Sequence, residues 1–164
     1  MNLNAAIPLA LHELASTVWV GGMFFATFAV RPTLKGVADP AQRVGLAIGI
    51  FRRFFPWVWV AIATLWVSGL WIGVAAYGKQ VGLHVHIMMG IALVMTLIFA
   101  WIFAFPYRQM IRIAGGYENW GWAAAKLSVV RKLMAVNLAL GMLNVVVAAV
   151  GPALEPAVRA LFKG

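Results

Sequence analysis

Four stretches of this chain, residues 7–30, 54–76, 83–105 and 133–154, each run past twenty residues with almost no charge; Glu13 is the one acidic side chain inside them. About 20 apolar residues in a helix cross roughly 30 Å of hydrocarbon. Each stretch is therefore long enough to span a bilayer. The rest of the composition agrees. Apolar residues make up 64% of the 164, and charged residues only 10%. A soluble domain carries about 25% charged residues, so this chain could not clothe a water-facing surface. The expected fold is an all-α integral membrane protein, a single domain over residues 1–164. It forms a four-transmembrane-helix bundle joined by short connections.

The net charge of +9 is high enough for a nucleic-acid binder, but its placement reads as a topology signal. Arg31, Lys35, Arg43, Arg52 and Arg53 lie between spans one and two. Arg108, Arg112, Lys126, Arg131 and Lys132 lie between spans three and four. Only Lys79, Arg159 and Lys163 fall on the other side. Basic residues are retained on the cytoplasmic side. Ten against three places the first and third connections inside, in a bacterial-type inner membrane, with both termini and the Lys79 loop outside. No basic residue precedes Arg31, so the first run lacks the n-region of a signal peptide and reads as a span. No nucleic-acid partner is expected; the partner is the lipid bilayer.

Asp39-Pro40 pairs an N-cap with a proline at the first helical position. Val44, Ala47, Ile48 and Phe51 then recur at helical spacing. The pattern predicts an interfacial helix between spans one and two, running into span two and bent near Pro56. Gly115-Gly116 predicts a break after span three. Trp57, Trp59, Trp120 and Trp122 suit interfacial belts, and the deeper Trp19, Trp66, Trp71 and Trp101 suit bundle packing. Gly69 and Gly73 have the G-x-x-x-G spacing of close helix pairs, which is compatible with a homodimer.

The chain has no cysteine, which removes disulfides, thiolate catalysis, iron–sulfur ligation and covalent haem attachment. Any metal must be held by His, Met, Asp or Glu. The histidines are His12, His84 and His86. His12 lies a few residues into span one from its outer end, and His86 a similar distance into span three from the same side. Imidazoles at matched depth on two helices suit a buried metal or haem. His84 and His86 point about 200° apart at about 100° per residue, so only one can face the interior. His86 shares a face with Met89, Gly90 and Leu93, and Gly90 would leave room for a flat macrocycle. His86 is therefore the expected inward ligand and His84 the more solvated residue. Asn137 and Asn144 share one face of span four with Gly141. They would bond between helices or line a cofactor or quinone pocket. Thr64 and Ser68 form an i, i+4 pair that can bond back to its own helix. Glu13 reads either as a carboxylate bonded near the outer surface or as a proton relay. Met23, Met88, Met89 and Met95 raise Cu(I) as an alternative metal, although methionine is ordinary packing material. His12 precedes Pro32 by twenty residues, and His86 precedes Pro106 by the same twenty, a faint internal repeat.

Leu11-His12, Val18-Trp19-Val20-Gly21-Gly22-Met23-Phe24-Phe25 and Arg31-Pro32 resemble the first span of the CopD-like (copper resistance D) membrane family. Phe54-Phe55-Pro56-Trp57-Val58-Trp59 and Ser68-Gly69-Leu70-Trp71 resemble its second span. The likeness continues through Val85-His86-Ile87-Met88-Met89 and Pro106-Tyr107-Arg108 to Arg131-Lys132 and Asn137. The layout is also similar to the HemJ-type haem b proteins, whose third span typically begins Leu-His-x-Lys. Here Leu83-His84-Val85-His86 carries His in place of that Lys, a departure from the protoporphyrinogen oxidase pattern that adds an imidazole. The resemblance implies four spans and noncovalent haem b, with copper as the alternative cofactor. The expected function is a b-type cytochrome in which His12 and His86 ligate haem b near the outer leaflet, with His84, Gly90 and Asn137 beside it. It would act as an oxidoreductase passing electrons from a quinol. The rivals are a copper-binding or copper-transport protein and a proton-coupled small exporter built on Glu13.

Overall fold

The computed structural model of the chain describes residues 3–74, 82–116 and 119–161. Among them there are helices and no strands. The first helical rod contains α1 (Leu3–Ser16), α2 (Gly22–Phe25) and α3 (Arg31–Lys35). These are joined without a break by wider π-type turns at Thr17–Gly21 and Ala26–Val30. After a short turn, α4 (Pro40–Ile72) runs for 33 residues. Then come α5 (Leu83–Ile102), a π-type turn at Phe103–Tyr107, α6 (Arg108–Gly116) and α7 (Trp120–Leu161). Four helical stretches are long and apolar enough to cross a membrane: Ala6–Lys35, Pro40–Ile72, Leu83–Gly116 and Trp120–Pro156. The four expected apolar runs thus fall on helices long enough to cross, each helix continuing past its run at the basic end; residues 75–76 of the second lie outside the described residues. The expected outer loop around Lys79 lies outside the described residues.

Local chemistry explains the boundaries. The Asp39 carboxylate accepts hydrogen bonds from the Ala41 and Gln42 N–H groups, at 3.0 and 3.3 Å, and caps α4 as its sequence predicts. The helix then passes through Pro56 as one element. Chain break and Gly115-Gly116 coincide at the end of α6. Two of the π-type turns, Ala26–Val30 and Phe103–Tyr107, fall at prolines. A proline ring collides with the carbonyl four residues earlier. For Pro32 that carbonyl belongs to Phe28, inside a π-type turn; for Pro106 it belongs to Ile102, at the edge of one. Widening the helix there relieves the collision. The twenty-residue repeat in the sequence thus has a counterpart in backbone geometry at its proline end.

The bundle is closed at one end only. α1 packs along α4 and α5 along α7. At the basic end, Val44, Ala47, Phe51, Phe55 and Val58 of α4 are buried against Met110, Ala123, Leu127 and Val130. Phe55 stacks on Phe51 at 5.1 Å and meets Tyr107 and Phe99 edge-on at 4.8 and 5.2 Å. Such pairs each add about 0.5–1.5 kcal/mol beyond area burial. The outward surface carries Phe25, Phe28, Trp57, Val67, Leu97 and other large apolar side chains, the arrangement hydrocarbon accepts and water does not. Trp19 is buried, and Trp66 donates its indole N–H to Thr96 Oγ1 at 3.2 Å. Trp71 and Trp101 depart from the packing expectation. They are 57% and 48% exposed on the bundle exterior.

Candidate functional site

At the end opposite the aromatic core, the four helical rods enclose a cavity of about 450 Å³. That lies within the roughly 300–1,000 Å³ range of cofactor and small-molecule sites. Its wall is mostly apolar, from Val20, Leu65, Leu70, Met88, Ala92, Val145 and similar residues. His12, Glu13, Ser16, His84 and Asn144 supply polar groups.

His12 projects from α1 toward α4. Its Nδ1 lies 2.9 Å from Ser68 Oγ, and that hydroxyl donates back to the Thr64 carbonyl at 2.5 Å. A hydroxyl has one proton to give. With that proton on Thr64, Nδ1–H of His12 must donate to Ser68 Oγ, leaving Nε2 as the basic nitrogen. Ser68 thus does bond to its own helix, and by doing so selects the tautomer of His12. Gly69 makes the approach possible: a Cβ there would stand 3.1 Å from His12 Cε1. The first glycine of the G-x-x-x-G pair is therefore used inside one chain.

His84 projects from α5 toward α7 and is nearly buried. Its Nδ1–H donates to Glu155 Oε2 at 2.6 Å, and Glu155 Oε1 accepts the Leu83 N–H at 3.3 Å. One carboxylate thus orients the imidazole and caps the positive end of α5. Gly151 clears the ring's path, since a Cβ there would come within 2.5 Å of His84 Cβ.

The expected roles of the paired histidines are reversed. His86 is exposed and donates Nδ1–H back to the Gly82 carbonyl of its own first turn, at 3.1 Å. It does not line the cavity. Gly90 follows it outward, with open space around the position of a Cβ, so it shapes no pocket. The two histidines do lie on different faces, as their spacing requires. Glu155 and Gly151 decide which one turns inward. Asn137 also departs from expectation. It is fully buried in the core, both side-chain atoms lack hydrogen-bond partners, and the cavity does not reach it. Asn144 does reach the cavity, where its Oδ1 has no partner, and neither does the Nε1 of buried Trp19. Glu13 is exposed at the cavity rim.

Two groups at the site escaped the sequence reading. Glu155 lies one residue past the predicted end of span four. Pro152 lines the cavity and, lacking an N–H, cannot bond the Ala148 carbonyl one turn earlier, which leaves an acceptor on the same wall. The only sequence signal for them was a proline in the last turn of the fourth apolar run and a carboxylate just past its end.

The arrangement brings two imidazoles from α1 and α5 to one largely apolar chamber. α1 and α5 are not a closely packed pair, and the chamber lies between them. Each Nδ1 is held by a partner, the pattern that fixes tautomer and orientation in metal-ligating histidines. The donor set and the walls fit a noncovalent haem. Among the described residues, no three His, Asp or Glu side chains form a metal-binding cluster. No family model, curated protein or solved structure matches this chain.

Proposed function

We propose that this chain is a four-span membrane b-type cytochrome whose haem b is ligated by His12 and His84. The observation that carries the reading is the convergence of these two imidazoles on one apolar cavity, each with its Nδ1–H held by an oxygen partner. Bound haem would supply one-electron redox chemistry, with His12 and His84 as the residues that would hold it. The protein's own residues do the rest. Ser68 and Glu155 set the tautomers of the ligands. Leu65, Val145 and their neighbours exclude water. Asn144 offers a side-chain amide to polar substituents at the cavity wall. A quinol is the proposed electron donor.

The basic ends of the helices lie in the cytoplasm and the cavity opens toward the outer leaflet, because ten basic residues against three favour that orientation. The first part of α4, with its exposed Arg52 and Arg53, lies at the inner interface. The resemblance of Leu11-His12 to the CopD-like family and of Leu83-His84 to the HemJ-type proteins supports the reading, whereas the CopD-like resemblance in span three falls on Val85-His86.

The test is an absorption spectrum of protein purified after haem-supplemented expression, oxidised and dithionite-reduced. A Soret band is expected, lost in His12→Ala and in His84→Ala and kept in His86→Ala. Absence of the band, or its survival in both ligand variants, refutes the proposal. Met88, Met89 and Met95 line the same cavity, and thioether with imidazole suits Cu(I). A colourless sample with stoichiometric copper would establish that second reading instead.

A further inference from the structure

The end of the bundle remote from the cavity carries an unbalanced charge cluster. Arg31 of α3 and Arg131 of α7 line one crevice there, and Arg43 of α4 adds a like charge nearby. The Nε atoms of Arg31 and Arg43 are buried without a hydrogen-bond partner. Among the described residues no carboxylate forms an ion pair with any of the three. The four acidic residues of the chain are Glu13, Asp39, Glu118 and Glu155. Glu13 and Glu155 are at the cavity end, and both Asp39 oxygens are engaged with α4 backbone N–H groups. Glu118 lies outside the described residues.

Gathering guanidinium groups at a low-dielectric boundary without an anion is costly. Buried N–H donors left unmade add to that cost. Among the described residues no carboxylate supplies the counter-charge, which leaves the site open to an anion from outside the chain. Arg31 and Arg131 flank a small crevice whose other walls include Thr27, Phe51, Leu127 and Met134. Its volume is about 20 Å³, room for about one water-sized group. It admits a single oxygen of an anion, with the body of the anion lying over the rim. The apolar walls beside the guanidinium groups suit an amphiphile. Guanidinium forks match phosphate oxygens in pairs, and basic pockets between spans on the cytoplasmic side are where anionic headgroups bind.

We propose that Arg31, Arg43 and Arg131 form a binding site for a phosphate-bearing anion, seated on the crevice between α3 and α7. A lipid headgroup and free inorganic phosphate share this chemistry.

The full chain in nonionic detergent serves as the test, read by its thermal denaturation midpoint. It is titrated with phosphatidylglycerol, with phosphatidylcholine, and with sodium phosphate against sodium chloride at matched ionic strength. A rise of several degrees is expected with phosphatidylglycerol and little with phosphatidylcholine. A rise with phosphate that leaves no further response to lipid supports the same site with free phosphate as its ligand. The Arg31→Gln/Arg131→Gln variant should lose most of the rise. Arg53→Gln/Arg112→Gln, with the same net charge, should keep it. If the first variant does not fold, Arg31→Lys/Arg131→Lys retains charge without the fork and should show a reduced rise. The proposal is overturned by no response to either anion. It is also overturned by an equal rise with phosphatidylcholine, or by an equal loss in the two glutamine variants.

Discussion

Two glycines that bear on the placement of the α5 histidines make opposite predictions. Gly151 lies against His84, and its missing Cβ is the space the imidazole stem occupies. Gly151→Ala must push α5 from α7, and overpacking of this kind costs about 1–3 kcal/mol. The expected result is a lower thermal midpoint and a weakened Soret band in the same sample. Gly90→Ala adds a methyl to open space and should leave both unchanged. An equal loss in the two variants would contradict the inward placement of His84. Glu155 acts through His84 rather than by contact with a ligand, so it is a positioning residue. Removing such partners typically lowers metal affinity or activity by about 10–100-fold. Haem titration of the apoprotein should therefore weaken on that scale in Glu155→Ala and recover in part in Glu155→Gln, whose amide oxygen still accepts the His84 Nδ1–H. Unchanged affinity in Glu155→Ala would remove it from the site.

Among the elements, α4 is the one on which the others are arranged. Its first half supplies Val44, Phe51 and Phe55 to the closed core, and its second half supplies Ser68 and Gly69 to His12. Its start rests on one side chain. Asp39→Ala removes an oxygen cap worth about 1 kcal/mol. Chemical denaturation in detergent should show a loss of that size without a change in the cavity-end spectrum, whereas Asp39→Asn or Asp39→Ser should keep most of the stability. No loss in Asp39→Ala would mean that tertiary contacts alone hold the first turn. The first rod and the α5–α6 rod each bend their hydrogen-bond ladder near a proline. The sequence marks both places by Pro32 and Pro106. It carries no sign of the π-type turn at Thr17–Gly21, which includes Trp19 and lies where the cavity meets the core.

Over the whole molecule, a closed, aromatic, basic end stands against an open, histidine-bearing one. The proposed orientation can be read directly because the chain has no cysteine. In intact cells, a membrane-impermeant maleimide should label Lys79→Cys and spare Arg112→Cys until the membrane is permeabilised. The reverse pattern would invert the topology and place the cavity toward the cytoplasm. The four helical stretches and the Asp39 cap were legible because hydropathy and capping are local properties, summed over neighbours in the chain. The placement of His12 was legible in part, since depth along a helix follows from counting residues. The choice between His84 and His86 was not. Both fit the same apolar pattern, and the groups that separate them, Gly151 and Glu155, sit 67 and 71 positions from His84 along the chain. Asn137 and Asn144 show the same limit, since a shared face does not tell which turn reaches the cavity.

Composition and periodicity by themselves determined an all-helical chain with four stretches able to cross a bilayer, and restricted any metal chemistry to imidazole, thioether or carboxylate. Each of those conclusions rests on energies that add along the backbone, such as burial per residue and the charge of each side chain. Only the tertiary structure decided which imidazole turns inward, where the bundle stays open, and which arginines gather with no ion-paired carboxylate among the described residues. Those outcomes depend on single atoms of distant residues, a missing Cβ at Gly151 or a carboxylate at Glu155, and contacts of that kind exist only once the helices are packed.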